Sequence, residues 1–225
     1  DTLAMILHPA TFAGIVISDD AAVYANFRKA QKCWAHLLRK AIKLTLLDPQ
    51  NEEYRQFTDR LLEIYHTACR VQQDRRMGDG GRTGKVAELD DEILELCLPL
   101  WQAELPPGDG PANDYRLLVN ELMRLMLARE LFTFVTATAV NTPQGTLMPV
   151  GGTNNEAERT LRNPAEARKT GRTSKTPRGA RRRTVIVSVL ESLRQYLPTF
   201  TLLTVIREVL SWVDAGQSCF AKLIK

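Results

Sequence analysis

The sequence predicts an α/β fold that is predominantly helical. Gly14–Ser18 is a short β-branched run bounded by glycine and acids, which is typical of a buried strand. Lys29–Trp34 predicts a second short strand, which leads into a helix over residues 35–42. One face of that helix carries Leu38, Ala41, Ile42 and Leu46.

Three long helices are predicted between residues 50 and 131. The first covers residues 50–76, where apolar side chains recur at the helical period: Tyr54, Phe57, Leu61, Ile64, Tyr65 and Ala68. The glycine-rich stretch Gly78–Gly84 predicts a flexible break before a second helix over Val86–Trp101. A third helix runs from Asn113 to about Leu131, after the Pro/Gly-rich stretch Leu105–Pro111.

The rest of the chain predicts an extended segment and two further helices. Residues 132–150 are expected to be extended, with room for a small hairpin. Thr184–Leu197 predicts one helix, and a second starts at Thr199 or Phe200 and ends at Val213. No run of about 18 uncharged apolar residues occurs, so no membrane span is expected.

Positive charge is concentrated in residues 159–183. This segment holds ten basic residues against one acid, Glu166, a net charge of +9, which leaves −5 on the rest of a chain whose overall charge is +4. The basic residues are Arg159, Arg162, Arg168, Lys169, Arg172, Lys175, Arg178, Arg181, Arg182 and Arg183. Gly171, Pro177 and Gly179 predict a loop, and the charge predicts contacts with the phosphates of duplex DNA, against the alternative of a solvated charged loop.

Two carboxylates are candidates for a metal site. One is Asp19 or Asp20, at the end of the first predicted strand, and the other is Glu158, in the first turn of a helix expected from Asn155. Hard cations such as Mg²⁺ or Mn²⁺ prefer oxygen ligands, and two-metal phosphoryl transfer needs carboxylates that converge from different elements. The alternatives are structural: Asp19 or Asp20 caps a helix over Ala21–Phe27, and Asn155 with Glu158 forms a capping box.

The cysteines favour buried thiols in a reducing compartment. Cys33, Cys69, Cys97 and Cys219 are scattered without a Cys-x-x-Cys pair. Cys33 with His36, and His66 with Cys69, could supply a Cys₂His₂ zinc site. A buried thiol and a hydrogen-bonded histidine are the stronger interpretation.

Four segments, in order, resemble a transposase family. They are Val16–Tyr24, Cys33–Lys40, Leu131–Phe134 and Thr153–Arg162, and the most specific are Cys-Trp-Ala-His and Asn-Asn-x-Ala-Glu-Arg. Together they resemble the C-terminal part of transposases of the insertion sequence sixty-six family, which belong to the Asp-Asp-Glu class.

The resemblance implies a partial ribonuclease-H-like core that is interrupted by a large all-helical insertion. Asp19 resembles the second catalytic aspartate, with Asp20 as the competing position, and Glu158 resembles the catalytic glutamate flanked by Arg159 and Arg162. The implied domains are 1–48 for the partial core, 49–131 for the insertion, 132–183 for the return to the core, and 184–225 for the C-terminal helices.

The implied function is DNA transposition by metal-assisted cutting and joining. The family's first catalytic aspartate is expected to lie before the start of this chain, so we expect the chain alone to be inactive. The expected partners are transposon ends and target duplex, Mg²⁺ or Mn²⁺, and further copies of the chain, in the bacterial cytoplasm at the nucleoid. A non-catalytic DNA-binding or assembly module, and a helical interaction domain without a nucleic-acid role, are the alternatives.

Overall fold

The computed structural model describes residues 8–19, 21–102, 110–137, 139–141, 147–169 and 176–222. Contacts divide the chain into two compact units, one made of residues 1–140 and 149–157, the other of residues 141–148 and 158–225. The described residues are mostly helical, and their strands are short. The predicted predominance of helix is therefore confirmed, whereas a ribonuclease-H-like core stays a prediction.

The first unit contains a two-stranded parallel sheet. Strand β1 (Val16–Ser18) pairs with β2 (Ala30–Lys32), with Val16 opposite Ala30 and Ser18 opposite Lys32. Both strands were predicted. The helix predicted over Ala21–Phe27 is wrong, because only a 3-10 turn forms there, at Ala22–Tyr24. The chain must return to the start of β2 within this short connection, and Phe27 is buried on the way.

Four helices form the core of the first unit. They are α1 (Trp34–Leu47), α2 (Glu52–Gln73), α3 (Asp79–Gln102) and α4 (Pro111–Leu127). Helices α1 and α3 each pack against both α2 and α4, so the four contact one another as a ring. Each turns one apolar stripe inward, and the fully buried side chains include Trp34, Leu37, Leu44, Leu61, Ile64, Leu89, Ile93, Leu118 and Leu122.

The apolar stripe predicted on α1 is partly wrong. Leu38 and Ala41 are buried, but Ile42 and Leu46 are exposed. The buried stripe instead runs through Trp34, Leu37, Leu38, Ala41 and Leu44. The stripe is rotated because Trp34, whose side chain has no exposed surface, fixes which face of the helix turns inward.

The flexible break predicted at Gly78–Gly84 is also wrong, because α3 begins at Asp79 and includes the later glycines. Glycine costs about 1 kcal/mol relative to alanine inside a helix. Local bonds offset part of that cost: the Arg82 amide donates to the Gly78 carbonyl, and the Thr83 hydroxyl donates to that of Asp79. Burial of the apolar stripe of α3, which includes Leu89 and Ile93, offsets the remaining cost of the glycines.

Residues 132–150 are not uniformly extended as predicted. Thr133–Thr136 forms a single helical turn, α5, and buries Phe134 and Val135. Further along, β3 (Val140–Asn141) and β4 (Leu147–Met148) form a second two-stranded sheet, in the region where a hairpin was expected. The turn forms because Phe134 and Val135 gain more by packing on α2 and α3 than they would in an exposed strand.

Three helices follow. Helix α6 (Asn155–Lys169) starts in the first unit and continues into the second, which also contains α7 (Pro177–Tyr196) and α8 (Leu202–Ala215). Helix α7 begins well before the predicted Thr184. Helix α8 opens with a reciprocal capping box between Thr201 and Thr204, and its C-cap Gly216 is left-handed at φ 66°. Among the described residues, no helix is long and apolar enough to span a membrane.

We predict that the stability of the first unit depends on Asp90 in a pH-dependent way. Burial raises the pKa of this carboxyl from 3.8 to about 6, and nearby Arg129 offsets only part of the rise. The folded state therefore holds the proton more tightly than the unfolded chain, so stability is lost as pH rises from about 4 through about 6. Asp90→Asn should stabilise the protein by about 1–2 kcal/mol at pH 8, after allowance for solvent screening, and by almost nothing at pH 4.

Urea unfolding at the two pH values measures this difference. Asp59→Asn, at an exposed position of α2, is the control and should change little at either pH. An equal effect of Asp90→Asn at pH 4 and pH 8 would contradict the assignment.

Candidate metal and nucleic-acid site

The carboxyl ends of the two parallel strands bring Ser18 and Asp19 beside Lys32 and Cys33. The Cys33 amide donates to the Ser18 carbonyl at 2.8 Å, which fixes the two strand ends together. Asp19 is exposed, and its Oδ1 accepts from the Ala21 amide at 3.4 Å. This local bond does not make Asp19 the cap of a helix, because Ala21 is the N-cap of the 3-10 turn and no side chain caps it, and the carboxylate reaches solvent. Asp20 lies outside the described residues.

Sequence reasoning missed Lys32, a buried cation at the same strand end. Only 4% of the residue is exposed. Its Nζ donates to the Ser18 hydroxyl at 3.4 Å and lies 3.6 Å from a Glu130 carboxylate oxygen. The signal was a lysine inside a predicted strand, because such a residue is seldom buried without a charged partner.

Gln31, in β2, is hydrogen bonded to the segment that follows the helical block. Its buried amide donates to the Leu131 carbonyl at 2.8 Å, and its Oε1 accepts from the Phe134 amide at 2.9 Å. Trp34 adds a bond of 2.7 Å from its indole nitrogen to the same Leu131 carbonyl. Residues a hundred positions apart are thereby fixed side by side.

The segment that leads into α6 is tied to the end of β2. The Trp34 amide donates to the Gly152 carbonyl at 3.0 Å, and the Asn154 amide donates to Cys33 Sγ at 3.3 Å. From α2, the side-chain amide of Gln72 donates to the Phe134 and Val150 carbonyls through Nε2. These bonds set the place from which α6 starts, within the first unit.

Glu158 follows one turn into α6. The helix begins at Asn155, so Asn154 precedes it, and Asn155 does not occupy the N-cap position that the predicted capping box with Glu158 required. Glu158 is exposed and belongs to the second unit, whereas Asp19 belongs to the first. Arg162 lies one turn further along the same side of the helix, an arrangement in which a Glu and a later Arg attract.

The described residues assemble no group of three or more His, Cys, Asp or Glu that could hold a metal ion. Within that part of the chain, Cys33, His36, His66 and Cys69 therefore do not form the four-ligand zinc set. Cys33 is buried and accepts from Asn154, and burial raises the pKa of the Cys69 thiol above its ordinary value. The carboxylates Asp19 and Glu158 have the right donor chemistry for Mg²⁺ or Mn²⁺ but supply only two ligands.

The basic segment is helical over most of its length, so the loop prediction is wrong. Arg159, Arg162 and Lys169 are exposed on α6, and Arg168 belongs to the same helix. Arg172 and Lys175 lie outside the described residues. The remaining four are exposed in the first two turns of α7: Arg178, Arg181, Arg182 and Arg183.

Pro177 starts α7 rather than interrupting a loop. Thr176 is the N-cap and its side chain accepts from the Gly179 amide at 3.1 Å, while proline occupies the first turn, where its missing N–H costs nothing. The first turn carries no acid. The arginines of α7 therefore lie near the positive end of the helix dipole, and both the arginines and the dipole attract anions.

A comparison with protein-family models identifies the family of the chain. The model described as Transposase IS66 family matches residues 2–182. The chain belongs to the IS66 family of transposases. The match includes all four strands, the helical block, the whole of α6 and the basic residues through Arg182. No curated protein and no solved structure matches the chain.

We predict that the close approach of residue 152 to the Phe134 ring requires a glycine at this position of the IS66 chain. A Cβ at this position would lie 3.2 Å from the Phe134 ring, which is itself buried and cannot move aside freely. Gly152→Ala should therefore destabilise the first unit by about 1–3 kcal/mol.

Gly151→Ala is the matched control, since its Cβ would make only an ordinary contact at 3.4 Å with a backbone oxygen. Its effect should stay within about 0.5 kcal/mol. Urea unfolding compares the two, and equal losses of stability would contradict the close packing of Gly152 on Phe134.

Proposed function

We propose that this chain is the part of a transposase that carries two carboxylates of the cutting and joining site, Asp19 and Glu158. The observation that carries the proposal is the tie between the start of α6 and the carboxyl end of β2. Gly152 bonds to Trp34, and Asn154 bonds to Cys33, whose own amide bonds to Ser18. Asp19 follows Ser18 directly, and Glu158 is four residues beyond Asn154.

The chemistry of the two acids supports this role. Both are exposed and both are oxygen donors suited to Mg²⁺ or Mn²⁺. When bound, such cations would polarise the attacking oxygen and offset the charge on the phosphate undergoing transfer. Asp19 and Glu158 would hold the cations, and Arg159 and Arg162 would neutralise neighbouring phosphates of the DNA backbone.

We predict that the 225-residue chain alone has no strand-transfer activity. Two carboxylates leave a two-metal site short of ligands, so positioning and charge stabilisation are lost together. The test incubates the chain with supercoiled plasmid or duplex oligonucleotides and Mg²⁺ or Mn²⁺, and follows nicking and joining on gels. Metal-dependent cleavage that Asp19→Ala abolishes would show that two carboxylates suffice.

The basic helices support binding to duplex DNA without sequence readout. Arginine and lysine contacts to phosphates supply affinity that depends strongly on salt and little on base sequence. The start of α7 adds a helix N-terminus to its four arginines, so backbone amides and side chains can meet one phosphate group together.

We predict that Arg181→Gln with Arg182→Gln weakens duplex binding and lowers its salt dependence. If each arginine meets one phosphate, the slope of log affinity against log salt should fall by about two. Fluorescence anisotropy with a labelled duplex across a salt series measures this slope.

Arg75→Gln with Lys85→Gln is the control, because it removes the same charge from α3 and the turn before it. Its slope should match that of the wild type. A fall of equal size in both variants would show that net charge, and not the start of α7, determines binding.

A non-catalytic DNA-binding or assembly module is the second candidate. The absence of a three-acid cluster among the described residues favours it, as does the bond that Asp19 makes to Ala21. It predicts DNA binding that is unchanged by Asp19→Asn or Glu158→Gln in both the presence and the absence of Mg²⁺. The catalytic proposal instead predicts that Mg²⁺ strengthens binding only when both acids are intact, since the cations would bridge carboxylates and phosphate.

A further inference from the structure

The described residues of the second unit bury very little apolar surface. Across its described residues, Leu193 is the only buried hydrophobic side chain. A few aromatic contacts join the ends of its helices, with Phe220 packing edge-on against Tyr196 and Trp212. Helices of this length are marginal in water unless an apolar face is covered. Something must therefore cover the apolar faces of α7 and α8.

The largest uncovered face lies on α8. Leu202 is 77% exposed and Val213 is 73% exposed, and four more large side chains between them are also exposed. These six residues, which we call the α8 face, are Leu202, Leu203, Ile206, Val209, Leu210 and Val213. Natural monomers seldom leave such a contiguous apolar surface in water, and one of this kind marks an interaction site.

The spacing of the α8 face matches a helix-to-helix seam. Leu202, Ile206, Val209 and Val213 follow one another at intervals of four, three and four residues. That is the alternation at which two helices interlock side chains along a shared seam. The remaining members, Leu203 and Leu210, widen the same face.

The pattern is also symmetric about its own midpoint, which lies between Arg207 and Glu208. A two-fold axis at that point brings Leu202 of one copy to the level of Val213 of another, and Ile206 to the level of Val209. It also sets Arg207 level with Glu208, so the two-fold pairing places no like charges at the same level. An interface between two identical subunits needs this kind of self-complementary surface.

The apolar area exposed on α8 approaches the area that a stable pair buries. A standard interface buries about 800 Å² on each partner. A helix of 14 residues extends about 21 Å, and six large apolar side chains along it supply most of such an area.

From these observations we propose that the α8 face docks on the α8 face of a second copy of this chain, with the two helices antiparallel. This interaction goes beyond the proposed function, because it requires neither metal nor DNA. Residues 183–225 also lie outside the family match, so the surface is not part of the matched region.

Charge substitution tests the pairing on the full chain without DNA. One variant carries Ile206→Lys and Val209→Lys, and the other carries Ile206→Glu and Val209→Glu. Sedimentation equilibrium should find the wild type dimeric at micromolar concentration. Each variant alone should self-associate on the order of a hundredfold more weakly, because like charges face each other across the seam.

Mixing the two variants should restore dimers, since the new lysines of one copy then lie level with the new glutamates of the other. Recovery of both dimer and helix content on mixing supports the proposal even if each variant alone loses helix by circular dichroism. Ser211→Lys and Ser211→Glu, on the opposite side of α8, form the matched control and should leave the wild-type dimer intact. A monomeric wild type, variants that remain dimeric alone, or no recovery on mixing would each overturn the proposal.

Discussion

Gln31 is buried, and the hydrogen bonds of its side-chain amide join the two-stranded sheet to the segment that follows the four helices. It bonds to the Leu131 carbonyl and the Phe134 amide, so the chain that leaves the sheet into four helices is brought back beside its starting point. An apolar side chain of the same size would leave the Phe134 amide without this partner, at a cost of about 1–3 kcal/mol, whereas the Leu131 carbonyl would keep its bond from the Trp34 indole. The position of Gly152 and of the start of α6 depends on this return.

This constraint also shows how a helical block can lie between two segments that are hydrogen bonded to each other. Loop-closure entropy rises only slowly with length, and a block that folds on its own core brings its ends together in a fixed way. Trp34 and Leu131 are in contact because α1 and α4 pack on each other, so the helical block acts as a spacer with a defined geometry. The acids at its two ends need no closeness in sequence.

Local patterns predicted the elements whose signals are local. The β-branched run at Val16 gave β1, and the apolar period from Tyr54 to Ala68 gave α2, because burial on one face requires that period. Two glycine or proline signals were misinterpreted. Asp79 starts a helix through several glycines because α3 buries a long stripe, and Pro177 is a favoured first-turn residue rather than a break.

The candidate site was predictable only in part. Motif resemblance supplied the roles of Asp19 and Glu158 and of the flanking arginines, the local charge density supplied the other basic residues, and the family match agrees with the resemblance. Sequence reasoning had no means of finding the contacts of Gln31 and Lys32, because their partners Leu131 and Glu130 are about a hundred residues away and no short pattern encodes that pairing. Helix ends, likewise, were set by caps and by packing that distant residues supply.

Backbone cleavage by bound Fe²⁺ tests the central claim, that Asp19 and Glu158 share one cation site. Fe²⁺ substitutes for Mg²⁺ at oxygen ligands and, with ascorbate and peroxide, generates radicals that cut the chain near the bound ion. Fragments mapped by mass spectrometry should show cuts beside both Asp19 and Glu158. Asp19→Asn should remove the cuts near Glu158, and Glu158→Gln should remove those near Asp19. Cuts at one acid that persist when the other is replaced would contradict a shared site.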